Sequence, residues 1–264
     1  MKHFESLSLH IPQANAPIAH RAPAPAASPV EYLPFTIRPI RNQEDFERAL
    51  HIRYAAYARH LPEFADALKT PESDDLEDDV TIFLATSKVD GSTLGSARIQ
   101  NNLRRPLNLE QSVQLPDWLK GKRLAEARRL SVAPGSAGRL VKHALIKACL
   151  LYSIEHRLQW SVLAARPPLD RMYEKLLFRD LLNGETFIPL PRANNVPHRV
   201  LGLDMEQLEA NYTQAGHPLL DFFCHTHHPD IQTDGHRDMW VRRTQAIGFP
   251  GVMRTETMDQ TARL

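Results

Sequence analysis

The sequence predicts an α/β domain in which a mixed sheet is covered by helices on both faces. Three observations carry that reading. Two β-rich runs, VTIFLATSKV and STLGSARIQ, flank Asp90-Gly91, which is a strong hairpin signal. Beyond them strands and helices alternate, the pattern of a sheet with helices on either side. The 264 residues, 42% of them hydrophobic, supply enough apolar surface for a core of that size.

In chain order, residues 1–33 are rich in Pro and Ala and bury too little apolar surface to offset their ordering entropy. They are expected to be a flexible leader, with an arm draped over the domain as the alternative. FTIRPI (35–40) reads as a first strand. NQEDFERALHIRYAAYARH follows as a helix, with Asn42 as N-cap and acids in its first turn. Its apolar stripe is Phe46, Leu50, Tyr54 and Tyr57, and Arg53 falls on the same face. ESDDLEDD (72–79) places six acids in eight positions, by composition a solvated loop. The hairpin comes next. A long connection then carries a short helix near 108–114. LAEARRLSVAPGSAGRLVKHALIKACL (124–150) is a strand running into a helix expected over 138–156. SVLAAR is a strand, LDRMYEKLLFRDLL (169–182) a helix, ETFIPL and HRVLGLDM two further strands. Helices at 205–214 and 219–225 end the folded part. One domain is expected over 34–253, with a flexible tail over 254–264.

Composition narrows the function classes. A formal charge of +1 gives no reason to expect nucleic acid as a partner. Two cysteines, Cys149 and Cys224, imply no disulfide framework and suit a reducing cytoplasm. No apolar run reaches the ~20 residues of a membrane span, and no apolar segment follows Lys2 as in a secretory signal. CHTHHPDIQTDGH gathers Cys224, His225, His227, His228, Asp230 and His236, but its spacing matches no zinc pattern, so no metal is expected.

The informative feature is charge where a core should be. Arg53 lies on a helix stripe, Arg98 on the second hairpin strand, and Glu126 and Arg129 on the strand that follows. Unpaired charges there would each cost several kcal/mol, so together they point to an ionic site between packed elements, where a carboxylate can be a proton acceptor. Strict alternation, however, puts Glu126 with Arg128 on one face and Arg129 on the other. Only a bulge between them would let both serve one site; a surface pair between Glu126 and Arg128 is the alternative.

These residues resemble the N-acyl amino acid synthases and their relatives, the acyl-homoserine-lactone synthases, of the GNAT-like acyltransferase superfamily. Arg53 and Tyr57 match the family's Arg-x-x-x-aromatic. Glu72, Asp74 and Glu77 match its Glu-x-Asp-x-x-Asp loop, with Asp75 and Asp78 as the alternative register. Gly95 and Arg98 match its Gly-x-x-Arg; Glu126, Arg129 and Leu130 its Glu-x-x-Arg-apolar. PPLDRMYEKLLF resembles the superfamily's late Tyr-Glu-Lys-Leu-Gly-Phe helix, with Leu177 in place of Gly, and HRVLGLDMEQLEANY with THHPDI resembles the C-terminal part of the synthase branch. The resemblance spans about residues 35–235.

The resemblance implies a GNAT-like mixed, twisted central sheet with helices on both faces. It also implies a cytoplasmic enzyme that moves a fatty acyl group from an acyl carrier protein or CoA thioester to the amine of an amino acid, without a further cofactor. Glu126 would be the base, Arg129 and Tyr173 would complete the catalytic set, and Tyr173 would serve as acid to the departing thiolate, with a core or rim aromatic as its alternative. Arg53, Tyr57, Glu72, Asp74, Glu77 and Arg98 would shape the substrate site. Gly135, Gly138 and Arg139, at a helix N-terminus, would face the pantetheine phosphate, although the loop departs from the superfamily's Gly-rich pattern. The cations Lys120, Lys122, Arg123, Arg128, Arg129, Arg139, Lys142 and Lys147 would suit an acidic carrier protein, or form a solvated helix face. The alternatives are an acyl-homoserine-lactone synthase, a short-chain acetyltransferase and a non-catalytic acyl-binding module.

Overall fold

A computed structural model describes residues 28–135, 138–182, 187–191 and 195–234. The leader before residue 28 and the tail expected over 254–264 lie outside the described residues.

Among them, eight strands form one sheet: β1 (Phe35–Pro39), β2 (Val80–Ser87), β3 (Thr93–Asn101), β4 (Leu124–Val132), β5 (Trp160–Ala165), β6 (Arg179–Asp180), β7 (Ile188–Pro189) and β8 (Pro197–Asp204). The order is β1-β2-β3-β4-β5-β8-β6, with β7 on the end of β8. β4 and β5 are the parallel pair, and the other pairings are antiparallel. The hairpin joins β2 to β3 through a longer loop than a two-residue turn, and Gly91 (φ +70°) supplies its left-handed position.

α1 (Gln43–Ala58), capped as expected by Asn42, is followed by the short α2 (Pro62–Ala65); α1 and α3 (Asn108–Ser112) lie on one face. The buried stripe of α1 is Phe46, Ala49, Leu50, Ile52, Arg53 and Ala56; Tyr54 and Tyr57 are half-buried at its edge. Two apolar clusters share this face. One joins α1 to β2 through Ile82 and Leu84. The other joins Leu107, Leu109 and Leu119 to Leu124, Val162 and Val200. Between them the sheet carries Arg98, Gln100, Glu126 and Arg128. The opposite face is covered by α4 (Gly138–Glu155), whose Val141, Ala144, Leu145 and Ala148 pack on β1–β4, while Ile146 and Leu150 meet β5, β8 and α6 (Leu208–Gln214).

Several expectations are corrected. α5 (Leu169–Lys175) ends seven residues before 182: Leu177 adopts φ +63°, and the chain turns so that Arg179–Asp180 pairs with β8. Leu176, Phe178 and Leu181, apolar at nearly helical spacing, are buried in the turn and the segments flanking β6 instead. The strand expected in ETFIPL is only Ile188–Pro189, with 183–186 outside the described residues. The last helix is a five-residue π-helical turn, Asp221–His225. Residues 28–33, assigned to the leader, are partly held: Val30 bridges to His227, and Leu33 is buried with its N–H donated to Asp230.

Candidate functional site

The strand β4 breaks its ladder. Arg98 pairs with Arg128 and Ser96 with Ser131, so Arg129 and Leu130 together oppose Ala97 alone, a two-against-one bulge. Arg129 sits at φ +56°, a left-handed conformation that non-glycine residues rarely adopt. The bulge resolves the alternation problem, since Arg129 joins Glu126 and Arg128 around one cavity. Gly95 permits the approach of β3: a Cβ there would lie 2.8 Å from the Ser131 carbonyl oxygen and 2.9 Å from Leu145.

ESDDLEDD is not a solvated loop. Ser73–Leu76 is a 3₁₀ turn closed by a capping box, in which the Glu72 N–H donates to Asp75 Oδ2 at 2.9 Å. That turn aims Glu72, Asp74 and Asp75 at the sheet. Asp75 accepts a two-pronged bond from Arg53, 2.8 and 2.9 Å, and one from Arg98 at 2.8 Å. Glu72 accepts from Arg129 Nε at 2.8 Å and Nη2 at 2.5 Å, and lies 3.1 Å from Arg98. Asp74 accepts from Asn108 at 2.7 Å and Arg128 at 3.2 Å. Glu126 Oε2 accepts the Leu109 N–H at 3.0 Å, and its Oε1 lies 3.4 Å from Arg128 Nε. Four arginines thus face four carboxylates.

Neither register is matched as a whole: Glu72, Asp74 and Asp75 form the cluster, and Glu77 and Asp78 stay outside it. Glu77 is exposed, 4.0 Å from Arg105, and Asp78 lies 4.0 Å from Arg104 at the surface. Buried charge needs this matching. Burial alone would raise the pKa of Glu72, but Arg129, with Arg98 and Arg53 behind it, holds it well below the usual carboxylate range. For Asp75 burial is likewise outweighed, by Arg53 and then Arg98. Burial weakens Arg129 too, yet Tyr57 and Glu72 more than compensate and raise it; its guanidinium lies 5.7 Å from the Tyr57 ring centroid.

Three cavities meet β4. The first, about 90 Å³, is lined by Tyr57, Asn108, Glu126, Arg128, Arg129 and His198. Arg53 and Arg98, 0% and 1% exposed, are absent from its lining; they brace the acidic turn from behind. β4 and β5 pair only from Leu124↔Trp160 to Glu126↔Val162 and then part. In that gap lie an apolar slot lined by Leu130, Leu145, Leu163, Tyr173 and Phe178, and a cavity of about 240 Å³ bordered by Arg59, His60, Lys142, Arg166 and Tyr173. Tyr173 is half-buried between them, and burial raises its hydroxyl pKa, which keeps it protonated.

Gly135 (φ +123°) and Gly138 flank the start of α4, and Arg139 is exposed there; none lines these cavities. The basic run does not form one surface. Lys147 is buried, Arg128 and Arg129 belong to the cluster, and Lys120, Lys122 and Arg123 precede β4 at its other end. Sequence reasoning passed over Asn108 and His198, which look like a helix start and a lone strand histidine. In the CHTHHPDI stretch, His225 binds Asp221 and Glu209, and His228 binds Lys147. Among the described residues no three side chains group as metal ligands, and His236 lies outside them.

No protein-family model and no curated protein matches the chain. In three dimensions it is similar to FeeM, an N-acyl amino acid synthase from uncultured soil microbes, at 18% identity and a TM-score of 0.54, over 69% of this chain and 96% of that one. It is also similar to BjaI, a CoA-dependent acyl-homoserine lactone synthase, at 14% identity and a TM-score of 0.52, over 80% of this chain and 99% of that one. The fold is thus shared with both of these proteins, and its mixed sheet with helices on both faces is the architecture expected from the sequence.

Proposed function

We propose that this chain is an N-acyltransferase that moves a fatty acyl group from a thioester carrier to the amine of an amino acid. The observation that carries this reading is the parting of β4 from β5 beside a charge-balanced cavity. A thioester arm would enter through the 240 Å³ cavity, where Arg59, Lys142 and Arg166 suit its phosphate; the adjoining apolar slot, about 20 Å³, would have to widen to take the acyl chain. The carbonyl would then sit at the bulge, whose extra residue leaves backbone N–H groups outside the ladder to meet a tetrahedral oxyanion. Arg129 would receive the amino acid's carboxylate, Glu126 would accept a proton from its amine, and Tyr173 would protonate the thiolate.

Acyl carrier protein is the donor we favour, because Lys142 borders that entrance and Arg139 precedes Lys142 by three residues on α4; a cytoplasmic setting follows from that donor. No helix among the described residues is long and apolar enough to cross a membrane. A lactone synthase using S-adenosylmethionine is the second reading, and the small volume of the Glu126 cavity disfavours it. Incubation with long-chain acyl carrier protein and mixed amino acids should yield N-acyl amino acids by mass spectrometry. Glu126→Gln should lower kcat/KM by about 10²–10⁴-fold; equal yields from both proteins would remove Glu126 from its role, and acyl binding without product would make the chain a binding module.

A further inference from the structure

The side chains that line the cavity beside Glu126 include a buried acceptor with no donor among the described residues. Asn108 is 3% exposed. Its amide orientation is fixed, because Nδ2 faces two acceptors, Asp74 Oδ2 at 2.7 Å and Gln100 Oε1 at 3.3 Å. Oδ1 therefore points the other way, and it is buried without a partner among the described residues. His198 has its Nδ1 at 2.6 Å from the Val196 carbonyl oxygen. A carbonyl only accepts, so Nδ1 carries the hydrogen and Nε2 keeps its lone pair. Glu126 adds a carboxylate. The three come from α3, β8 and β4 and line one cavity of about 90 Å³, the space of about three water molecules.

A ligand matched to this arrangement is compact, rich in N–H donors and anionic at its other end. We propose that the cavity is the acceptor-amine site: Asn108 Oδ1, Glu126 and His198 Nε2 receive the three hydrogens of an α-ammonium group, and His198 is its first proton acceptor. This rests on the acyl-transfer reading, which explains why two proton acceptors are needed. An amino acid enters as R–NH3⁺. Loss of one proton, to His198, exposes the nitrogen lone pair. The C–N bond forms at the thioester carbonyl, the nitrogen yields a second proton to Glu126, and collapse breaks the C–S bond. One proton ends on the departing sulfur and the other in solvent.

His198 is suited to start uncharged. Burial lowers its pKa, and the Arg166 and Arg129 cations lower it further against the Val196 carbonyl. Glu126, Arg128 and Arg129 from β4 and Tyr57 from α1 also border its cavity. Both effects favour the neutral form, and activity is expected to fall under acid.

Calorimetry should show glycine binding at least about tenfold more tightly than glycolate, which has the same carboxylate without the ammonium. In acyl transfer, His198→Gln should lower kcat/KM about 10²-fold or more and abolish the acid limb of its pH profile, and imidazole should restore part of the activity of His198→Ala. Equal binding of glycine and glycolate, binding of neither, or a wild-type pH profile in His198→Gln would overturn the proposal. If no amine is acylated by wild type, the acyl-transfer reading falls, and the glycine–glycolate comparison still decides what the cavity binds.

Discussion

Between α1 and the sheet, Arg53, Arg98, Arg128 and Arg129 are matched by Glu72, Asp74, Asp75 and Glu126. Under α4, Lys147 is equally buried but has no carboxylate within ion-pair distance among the described residues. Its Nζ is held at 2.5 Å by the Phe222 carbonyl, at 2.6 Å by that of Thr226 and at 2.9 Å by His228 Nδ1. The difference follows the cation. A guanidinium stays charged and presents a planar fork that two-pronged carboxylates satisfy. An ammonium is a point donor that neutral dipoles can surround, and it can give up its proton: burial brings Lys147 down to about 8. The arginine region fixes loops around a cavity; the lysine ties the C-terminal segment onto α4.

The largest expected effect breaks the first region alone. Asp75→Ala removes the nearest carboxylate of both Arg53 and Arg98, leaving them Glu72 at 3.4 and 3.1 Å, and should cost about 3–5 kcal/mol in urea denaturation. Lys147→Met leaves two carbonyls and an imidazole unpaired and should cost about 1–3 kcal/mol, with faster amide exchange confined to residues 222–231. A loss for Lys147→Met as large as that for Asp75→Ala would erase the distinction.

Proton linkage sharpens the contrast, because the two regions act at opposite ends of the pH scale. Glu72 and Asp75 have depressed folded pKa values. Their contribution is complete above the unfolded carboxylate range and is lost as pH falls through and below it. Lys147 titrates near 8 when folded against 10.5 as its ordinary value. The unfolded chain therefore binds more protons between those values, and stability should rise there with pH. Thermal melts should show the acid loss blunted in Glu72→Gln and the alkaline gain missing in Lys147→Met. The smallest effect is expected for exposed Glu77: Glu77→Ala should change stability by about 0.5 kcal/mol or less. A loss near that of Asp75→Ala would restore Glu77 to the cluster.

Much of this was legible in the residues. Strand-to-helix alternation located most elements, and Arg98, Glu126 and Arg129 pointed to an ionic site because unpaired charge in a sheet interior is costly. Pairing partners were less legible. A 3₁₀ turn points the adjacent Asp74 and Asp75 to the same side, which neither helix nor strand spacing anticipates. The length of α5 misled because Leu176, Phe178 and Leu181 keep an apolar rhythm through a turn that Leu177 makes in the left-handed region. Asn108 and His198 carried no local signal; only the crossing of β4, β5 and β8 brings them to one cavity.

β1 is the outermost strand on its side of the sheet, and its free rim is taken by the chain itself. Ile37 donates to the Asp230 carbonyl at 2.7 Å, and Gln232 donates back to Ile37 at 2.8 Å. With Val30 beside His227, these bonds act as a selvedge that stops the fabric from being extended by another molecule. Versions trimmed to begin after residue 34 or to stop before 226 would expose that border, and self-association would be the first property to change.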